Sequence, residues 1–149
     1  MTMNVIQPHK KKYHSLYWQI ARAAASQSVA IRRQVGAVIV PPSGIVAIGW
    51  NGTPAGFNNK CEYTTFDENE EALTKPEVIH AERNALDKLT RQGVPVNGSI
   101  LFTTTAPCME CAKSIAAVGI THVYYSNLAR YTESLDFLAQ AGVNTEYNS

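Results

Sequence analysis

The residues with the clearest chemistry are one histidine and two cysteines whose types and spacing suit a metal ion. The segment His80-Ala81-Glu82 is followed later in the chain by Pro107-Cys108-Met109-Glu110-Cys111. One imidazole and two thiolates are good zinc ligands, and a structural zinc site closes its fourth position with protein while a catalytic one keeps a water there. The set predicts a catalytic zinc site with His80, Cys108 and Cys111 as ligands.

The acidic residue Glu82 is placed to handle protons beside such a metal. It lies two residues beyond His80, and we interpret it as the general base and acid that takes a proton from an attacking water and returns it. Acidic residues are also favoured in the first turn of a helix by the helix dipole alone. That simpler explanation suffices for Glu77 and Glu110, whereas the offset of Glu82 from His80 favours catalysis.

Both groups of ligands are predicted to lie at helix N-termini. Pro107 suits a helix boundary, and Cys108 and Cys111 are then one turn apart and face the same way. The partial positive charge of a helix start favours thiolate, the form that binds metal. Two alternatives stay open: two buried apolar cysteines without metal, or a closed zinc knot completed by Cys61, His14 or His122.

The composition fits one globular domain over residues 1–149 with a small-molecule substrate. The net charge of about +1 offers no broad field for gripping a nucleic acid, so no nucleic-acid partner is expected. Three cysteines, two of them in a ligand-like pair, favour reduced thiols in an intracellular setting. The sequence has no secretory leader and no apolar run of the ~20 residues that a membrane span needs. We expect a cytoplasmic protein without a membrane partner.

The hydrophobic pattern predicts an α/β protein in which helices and strands alternate. Helices are expected at 13–28, 78–91, 108–118 and 132–141, and strands at 35–40, 45–48, 99–103, 122–125 and 143–147. Between them, residues 49–77 form a long polar stretch without an assigned element, and loops of that length are commonly functional. Alternation of this kind predicts a three-layer α/β/α sandwich around a mixed five-stranded sheet.

The long stretch carries a motif that identifies a family. Residues 49–62 read Gly-Trp-Asn-Gly-Thr-Pro-Ala-Gly-Phe-Asn-Asn-Lys-Cys-Glu. Together with the histidine-x-glutamate and proline-cysteine-x-x-cysteine segments, this run resembles the deoxycytidylate (dCMP) deaminases of the cytidine and deoxycytidylate zinc deaminase superfamily. The resemblance extends over about 18–125. It implies a cytidine deaminase-like fold, one catalytic Zn²⁺ per chain, and hydrolysis of dCMP to dUMP and ammonia, which would supply thymidylate synthesis.

Substrate contacts are expected from the glycine-rich stretch and from the helix that follows it. The amide of Asn51 offers both a donor and an acceptor, although Asn-Gly is also a common turn former. The resemblance implies that Asn51, Thr53, Ala81 and Asn84 bind the nucleotide, and a surface helix position is the alternative for Asn84. The phosphate could be bound by one of five cations that the sequence does not rank: Arg32, Arg33, Lys60, Lys75 and Arg83.

The resemblance also implies assembly and regulation. Deoxycytidylate deaminases are typically homo-oligomers, often hexamers, that dCTP activates and dTTP inhibits, with Mg²⁺ accompanying a dCTP effector. Lys88 and Arg91 could serve such an interface or be plain solvated charges. The long stretch offers only Cys61 as a further thiol, so a second, structural zinc is not expected.

Three other functions compete with dCMP deamination. A bifunctional dCMP/dCTP deaminase shares all these motifs. A tRNA adenosine deaminase or other nucleobase deaminase shares the zinc motif, but an RNA-binding enzyme should show a steep salt dependence of affinity. A zinc-stabilised module that senses nucleotides would bind zinc and release no ammonia from any base.

Overall fold

The computed structural model describes residues 7–66, 72–128 and 132–148. Its helices are α1 (His14–Gln27), α2 (Ala81–Arg91), α3 (Met109–Ala117) and α4 (Glu133–Gln140), with a 3₁₀ turn at Lys11–Tyr13. Its strands are β1 (Gly36–Val40), β2 (Ala47–Trp50), β3 (Glu62–Phe66), β4 (Ala72–Thr74), β5 (Ile100–Thr103), β6 (His122–Tyr125) and β7 (Asn144–Tyr147).

Five of the strands form one mixed sheet in the order β2-β1-β5-β6-β7. Strand β1 is antiparallel to both β2 and β5, whereas β5, β6 and β7 run parallel. The short connection between β1 and β2 permits antiparallel pairing, while α3 and α4 supply the crossovers that parallel neighbours require. The predicted mixed five-stranded sheet is confirmed.

The helices cover the sheet from both sides. On one face, apolar side chains of β1, β5 and β6 pack with those of α2, α3 and α4, including Ala85, Ile115 and Leu138. On the other face, Tyr17 and Trp18 of α1 pack on Phe102 and its neighbours. Strand β1 is buried throughout, because successive side chains point to opposite faces and both faces are covered. The predicted three-layer sandwich is therefore confirmed.

The long stretch at 49–77 contains structure that the sequence analysis did not assign. Strands β3 and β4 form a separate antiparallel two-stranded sheet. Because this hairpin does not join the main sheet, its strands lack the apolar alternation that marks a half-buried strand. The prediction of a stretch without elements was wrong here.

Two predicted boundaries were also wrong. Helix α2 begins at Ala81 rather than at 78, because Ile79 exchanges backbone hydrogen bonds with Gly52 (2.8 and 3.1 Å) and is extended. Strand β2 covers Ala47–Trp50 rather than 45–48. Both shifts bring the end of β2 and the start of α2 together.

No helix in the described part of the chain is both long and apolar enough to span a lipid bilayer.

Strand β2 and helix α2 approach each other more closely than side chains usually allow. The contact centres on Gly49, where an added Cβ would overlap the carbonyl oxygen of Ala81 and lie 2.6 Å from the backbone nitrogen of Ala85. Both neighbours are backbone atoms of a regular helix, so neither can move aside alone. Gly49 is thus required for the position of the first turn of α2.

We predict that Gly49→Ala lowers the free energy of unfolding by about 1–3 kcal/mol or more, since the methyl group would overpack this contact. Urea unfolding followed by circular dichroism measures the change. The matched control is Gly52→Ala, where an added Cβ meets nothing within 4 Å. Equal stability of the two variants would contradict the close approach.

Candidate active site

Two helix starts present the three predicted metal ligands. His80 is the N-cap residue of α2 and Cys108 that of α3, and neither side chain makes a capping hydrogen bond. Their ligand atoms are therefore available to a metal instead of to the helix backbone. Cys111 follows one turn later on α3 and is buried. The predicted location of these residues at helix N-termini matches the structure.

The three ligand atoms converge. Nδ1 of His80 lies 3.3 Å from Sγ of Cys108 and 3.4 Å from Sγ of Cys111, and all three atoms lie within 4.8 Å of one another. Zinc bonds of about 2.3 Å to sulfur and about 2.0–2.1 Å to nitrogen put tetrahedral ligands roughly 3.6 Å apart. The donor set therefore fits a zinc ion.

The group holds three protein donors within residues 7–66, 72–128 and 132–148. The side chains considered for a closed zinc knot lie elsewhere. The ring of His14 packs against Phe102 and Tyr124 under α1, and His122 contacts Thr121 at the start of β6. Cys61 is buried outside the group. An ion held by these donors would keep one position without a described protein ligand, as a catalytic zinc does.

The two thiols share one negative charge. A hydrogen bond from Cys111 is the main cause that lowers the pKa of Cys108, to about 3. The same hydrogen bond to Cys108, followed by burial, raises the pKa of Cys111. A separate hydrogen bond, between His80 and Cys108, raises the pKa of His80. A cation binding here would replace the shared protons and allow both sulfurs to be thiolates.

Glu82 lies beside this group in the first turn of α2. Its side chain is buried, with 6% of the residue exposed, and Oε1 accepts a hydrogen bond of 3.1 Å from Oγ1 of Thr103. Burial is the main cause that raises the pKa of Glu82. A carboxyl group with a raised pKa can both accept and return a proton near neutral pH, which suits the predicted role.

The metal-ligand group opens into a cavity of about 1090 Å³. This volume is at the upper end of the range for small-molecule sites. Its walls include His80, Cys108 and Glu82, and four residues that precede β1: Ala30, Arg32, Arg33 and Val35. Of the four predicted substrate contacts, Asn51 and Ala81 line the cavity.

The amide of Asn51 is engaged with the cavity wall itself. Its Oδ1 accepts a hydrogen bond from the backbone nitrogen of Val35 (2.9 Å), and its Nδ2 donates to the carbonyl oxygen of Arg33 (2.7 Å). Ser28 in turn donates to the carbonyl oxygen of Asn51 (2.8 Å). Asn51 therefore braces the segment before β1 against the end of β2.

Thr53 and Asn84 lie outside the cavity lining. The hydroxyl of Thr53 donates to the carbonyl oxygen of Asn58 (2.6 Å), and Nδ2 of Asn84 donates to the carbonyl oxygen of Trp50 (2.7 Å). Both side chains thus fasten the glycine-rich stretch to itself or to α2. Their predicted contact with a nucleotide stays a prediction.

The structure distinguishes the five cationic side chains considered as phosphate ligands by whether they line the cavity. Arg32 and Arg33 line the cavity, and the other three do not. Arg83 instead forms an ion pair with Asp87 at 3.1 Å. Lys88, considered for an interface, contacts its own chain, since it donates to the carbonyl oxygen of Ile48 and lies over the ring of Trp50.

Sequence reasoning missed a second buried carboxylate, Glu62, on the cavity wall. It accepts hydrogen bonds from the backbone nitrogens of Ile31 (3.0 Å to each oxygen) and Arg32 (3.1 Å). Its partners are about thirty residues away, so no local spacing revealed it. Thr103 and Thr105 were missed too, although their place just before Pro107 put them near the ligands.

Comparison with known proteins identifies the family. The pattern described as the cytidine and deoxycytidylate deaminase zinc-binding region matches residues 11–127. The deoxycytidylate deaminase of Saccharomyces cerevisiae is 35% identical over 139 residues, covering 90% of this chain and 44% of that protein. That of Schizosaccharomyces pombe is 34% identical over 142 residues, covering 90% and 43%. The chain thus spans less than half the length of these two relatives.

A solved structure extends the likeness to the whole fold. The dCMP deaminase of the cyanophage S-TIM5, crystallised in complex with dCMP and dUMP, is 40% identical and superposes with a TM-score of 0.83. The match covers 93% of this chain and 98% of that one, so the expected cytidine deaminase-like fold is confirmed. The chain belongs to the cytidine and deoxycytidylate deaminase family.

Proposed function

We propose that this protein hydrolyses dCMP to dUMP and ammonia. The observation that carries the proposal is the convergence of His80, Cys108 and Cys111 beside the buried Glu82, with His80, Glu82 and Cys108 lining a single cavity. The family assignment and the likeness to a dCMP deaminase crystallised with dCMP and dUMP support it.

His80, Cys108 and Cys111 are the residues that would hold one zinc ion per chain. Zinc supplies Lewis acidity that makes a water molecule a nucleophile near neutral pH. Two thiolates and a neutral imidazole bring the formal charge of the centre to zero. The protein contributes the fixed geometry, since two of the three donors begin rigid helices.

Glu82 moves the protons. It accepts one from the attacking water, whose oxygen forms a bond to the ring carbon that carries the amino group. It then delivers that proton to the adjacent ring nitrogen. Glu82 next accepts the remaining proton of the added oxygen and passes it to the amino group, so the carbon–nitrogen bond breaks, the oxygen becomes a carbonyl and ammonia leaves. General acid–base catalysis of this kind contributes typically ~10²–10⁴-fold to the rate.

Arg32 and Arg33 are the cations that would take the 5′-phosphate. Both line the cavity, and arginine recognises phosphate through charge-assisted hydrogen bonds. The backbone of Arg33 is held by Asn51, and that of Arg32 is held by Glu62. We therefore rank these two arginines ahead of Lys60, Lys75 and Arg83, and we test Arg33.

Several finer features stay predictions from the sequence, most of them from the family resemblance. They are the use of dCTP as a substrate, activation by dCTP with Mg²⁺, inhibition by dTTP, a hexameric assembly and a cytoplasmic location.

The proposal is tested by the loss of cytosine absorbance when zinc-loaded protein is offered dCMP, CMP, deoxycytidine and dCTP separately, with and without dCTP or dTTP as effector. We expect dCMP to be converted with a kcat/KM well above that of CMP and deoxycytidine. Turnover of adenine in tRNA instead, with an affinity that falls steeply with salt, would replace this proposal by the RNA alternative.

We predict that Arg33→Ala lowers kcat/KM for dCMP roughly tenfold to a hundredfold, as the loss of one hydrogen bond between charged groups implies. The same assay measures it, and activity on deoxycytidine should change little. Arg83→Ala, which removes a cation outside the cavity, is the control. An equal effect of Arg33→Ala on both substrates would contradict phosphate binding by Arg33.

We predict one zinc per chain that depends on two of the three cysteines. Cys108→Ala and Cys111→Ala should each reduce the bound zinc strongly, because each removes one of three donors, whereas Cys61→Ala should retain it. Elemental analysis of purified protein gives the stoichiometry. Zinc lost on Cys61→Ala alone would show that the donors are assigned wrongly.

We predict that Glu82→Gln keeps zinc bound and lowers kcat by at least ~10²-fold, because the amide cannot accept the proton. Elemental analysis and the absorbance assay measure the two properties on one preparation. Near-normal turnover by this variant would remove Glu82 from the mechanism.

A further inference from the structure

A buried threonine at the end of β5 contacts the side chain that we assign as the catalytic base. Thr103 is fully buried, and its Oγ1 lies 3.1 Å from Oε1 of Glu82. The same oxygen lies 2.7 Å from the carbonyl oxygen of Thr105. A hydroxyl has one proton to donate, so Thr103 donates either to the Glu82 carboxylate or to the carbonyl oxygen of Thr105. It holds both groups at once only when a protonated Glu82 donates to Oγ1.

This contact joins two layers of the fold. Glu82 belongs to α2, whereas Thr103 is the last residue of the central strand β5. Thr103 pairs with Ala37 on one side and with Tyr125 on the other, so its backbone is fixed by two neighbouring strands. The β-branched side chain is itself stiff about χ1. Thr103 therefore offers Glu82 a rigid point of attachment.

The carboxyl group needs such a point because the glutamate side chain is long. Three side-chain torsions separate the carboxylate from the backbone of α2, and its hydrogen bonds with Cys111 and Thr103 fix them. Pre-organised geometry within about 0.5 Å is what a catalytic group requires. The sheet contributes to this through Thr103, which is not one of the residues that line the cavity.

We propose that Thr103 is a positioning residue, which holds Oε1 of Glu82 so that the other carboxylate oxygen faces the reacting atoms. This inference rests on the proposed role of Glu82 as the general base. It does not depend on which nucleobase the substrate carries. When Glu82 has taken up a proton and donates it to Oγ1, the proton of Thr103 is free for the carbonyl oxygen of Thr105, a cavity-lining residue.

The test compares Thr103→Val with Thr103→Ser. Valine keeps the shape and the β-branch but removes the hydroxyl, so we expect kcat for dCMP to fall about tenfold to a hundredfold with KM unchanged. Serine restores the hydroxyl and should recover most of kcat. Thr121→Val removes a hydroxyl at the opposite end of the strands, where it bonds Ser99, and should leave kcat unchanged.

A merely structural role for Thr103 would give a different pattern. Thr103→Ser would then fail to rescue Thr103→Val, or the kcat of Thr103→Val per folded molecule would equal that of the parent protein. Either result overturns the proposal. If a compound with another nucleobase proves to be the substrate, the same comparison of variants is made with that compound.

A second measurement does not require activity. Thermal unfolding of Thr103→Val, Glu82→Ala and the double variant forms a double-mutant cycle, in which each single change removes one partner of the hydrogen bond. Shifts in the unfolding temperature that fail to add show that the two side chains interact, whereas additive shifts overturn the proposal. A protein that is inactive on every nucleobase would contradict the proposed function. The double-mutant cycle would still show whether Thr103 holds Glu82.

Discussion

The close contact between the backbone of β2 and the first turn of α2 is the constraint on which the site depends. Gly49 makes that contact possible by presenting no side chain to Ala81 and Ala85. Because α2 begins there, its N-cap histidine and first-turn glutamate are delivered to the carboxyl end of β5, where α3 also begins. Crevices at the carboxyl ends of parallel strands are where α/β proteins generally bind ligands. The proposed metal donors and the proposed base thus take their positions from packing rather than from flexible loops.

Burial and hydrogen bonding together set the charge states in this crevice. Burial is the main cause that raises the pKa of Glu82, whereas the hydrogen bond between the two thiols lowers the pKa of Cys108 and raises that of Cys111. A divalent cation bound there would allow both sulfurs to be thiolates, and the neutral base of the proposed substrate would add no further charge. The phosphate of that substrate would be left to Arg32 and Arg33, which line the same cavity. The proposed chemistry and the proposed recognition of charge therefore rest on different residues of one cavity.

The parts of the site that could be predicted are those whose residues are close to one another in the sequence. His80 with Glu82, and Cys108 with Cys111, are close in sequence, so spacing alone suggested their roles, and regular alternation predicted the central sheet. Glu62 and Thr103 act on residues about thirty and twenty positions away, and only the packed fold brings them together. The hairpin of β3 and β4 escaped prediction because its strands do not share the buried face of the main sheet.

The position of Glu62 has a consequence for how substrate choice can change. The backbone of Ile31 and Arg32 is anchored by the Glu62 carboxylate, which is carried on β3 of the separate two-stranded sheet. The proposed metal donors and the proposed base are carried by α2 and α3, which are packed against the main sheet. Reshaping the small sheet would therefore move Arg32, a cavity-lining residue, while leaving the proposed reactive centre in place. Selectivity and reactivity can evolve as separate modules in this architecture.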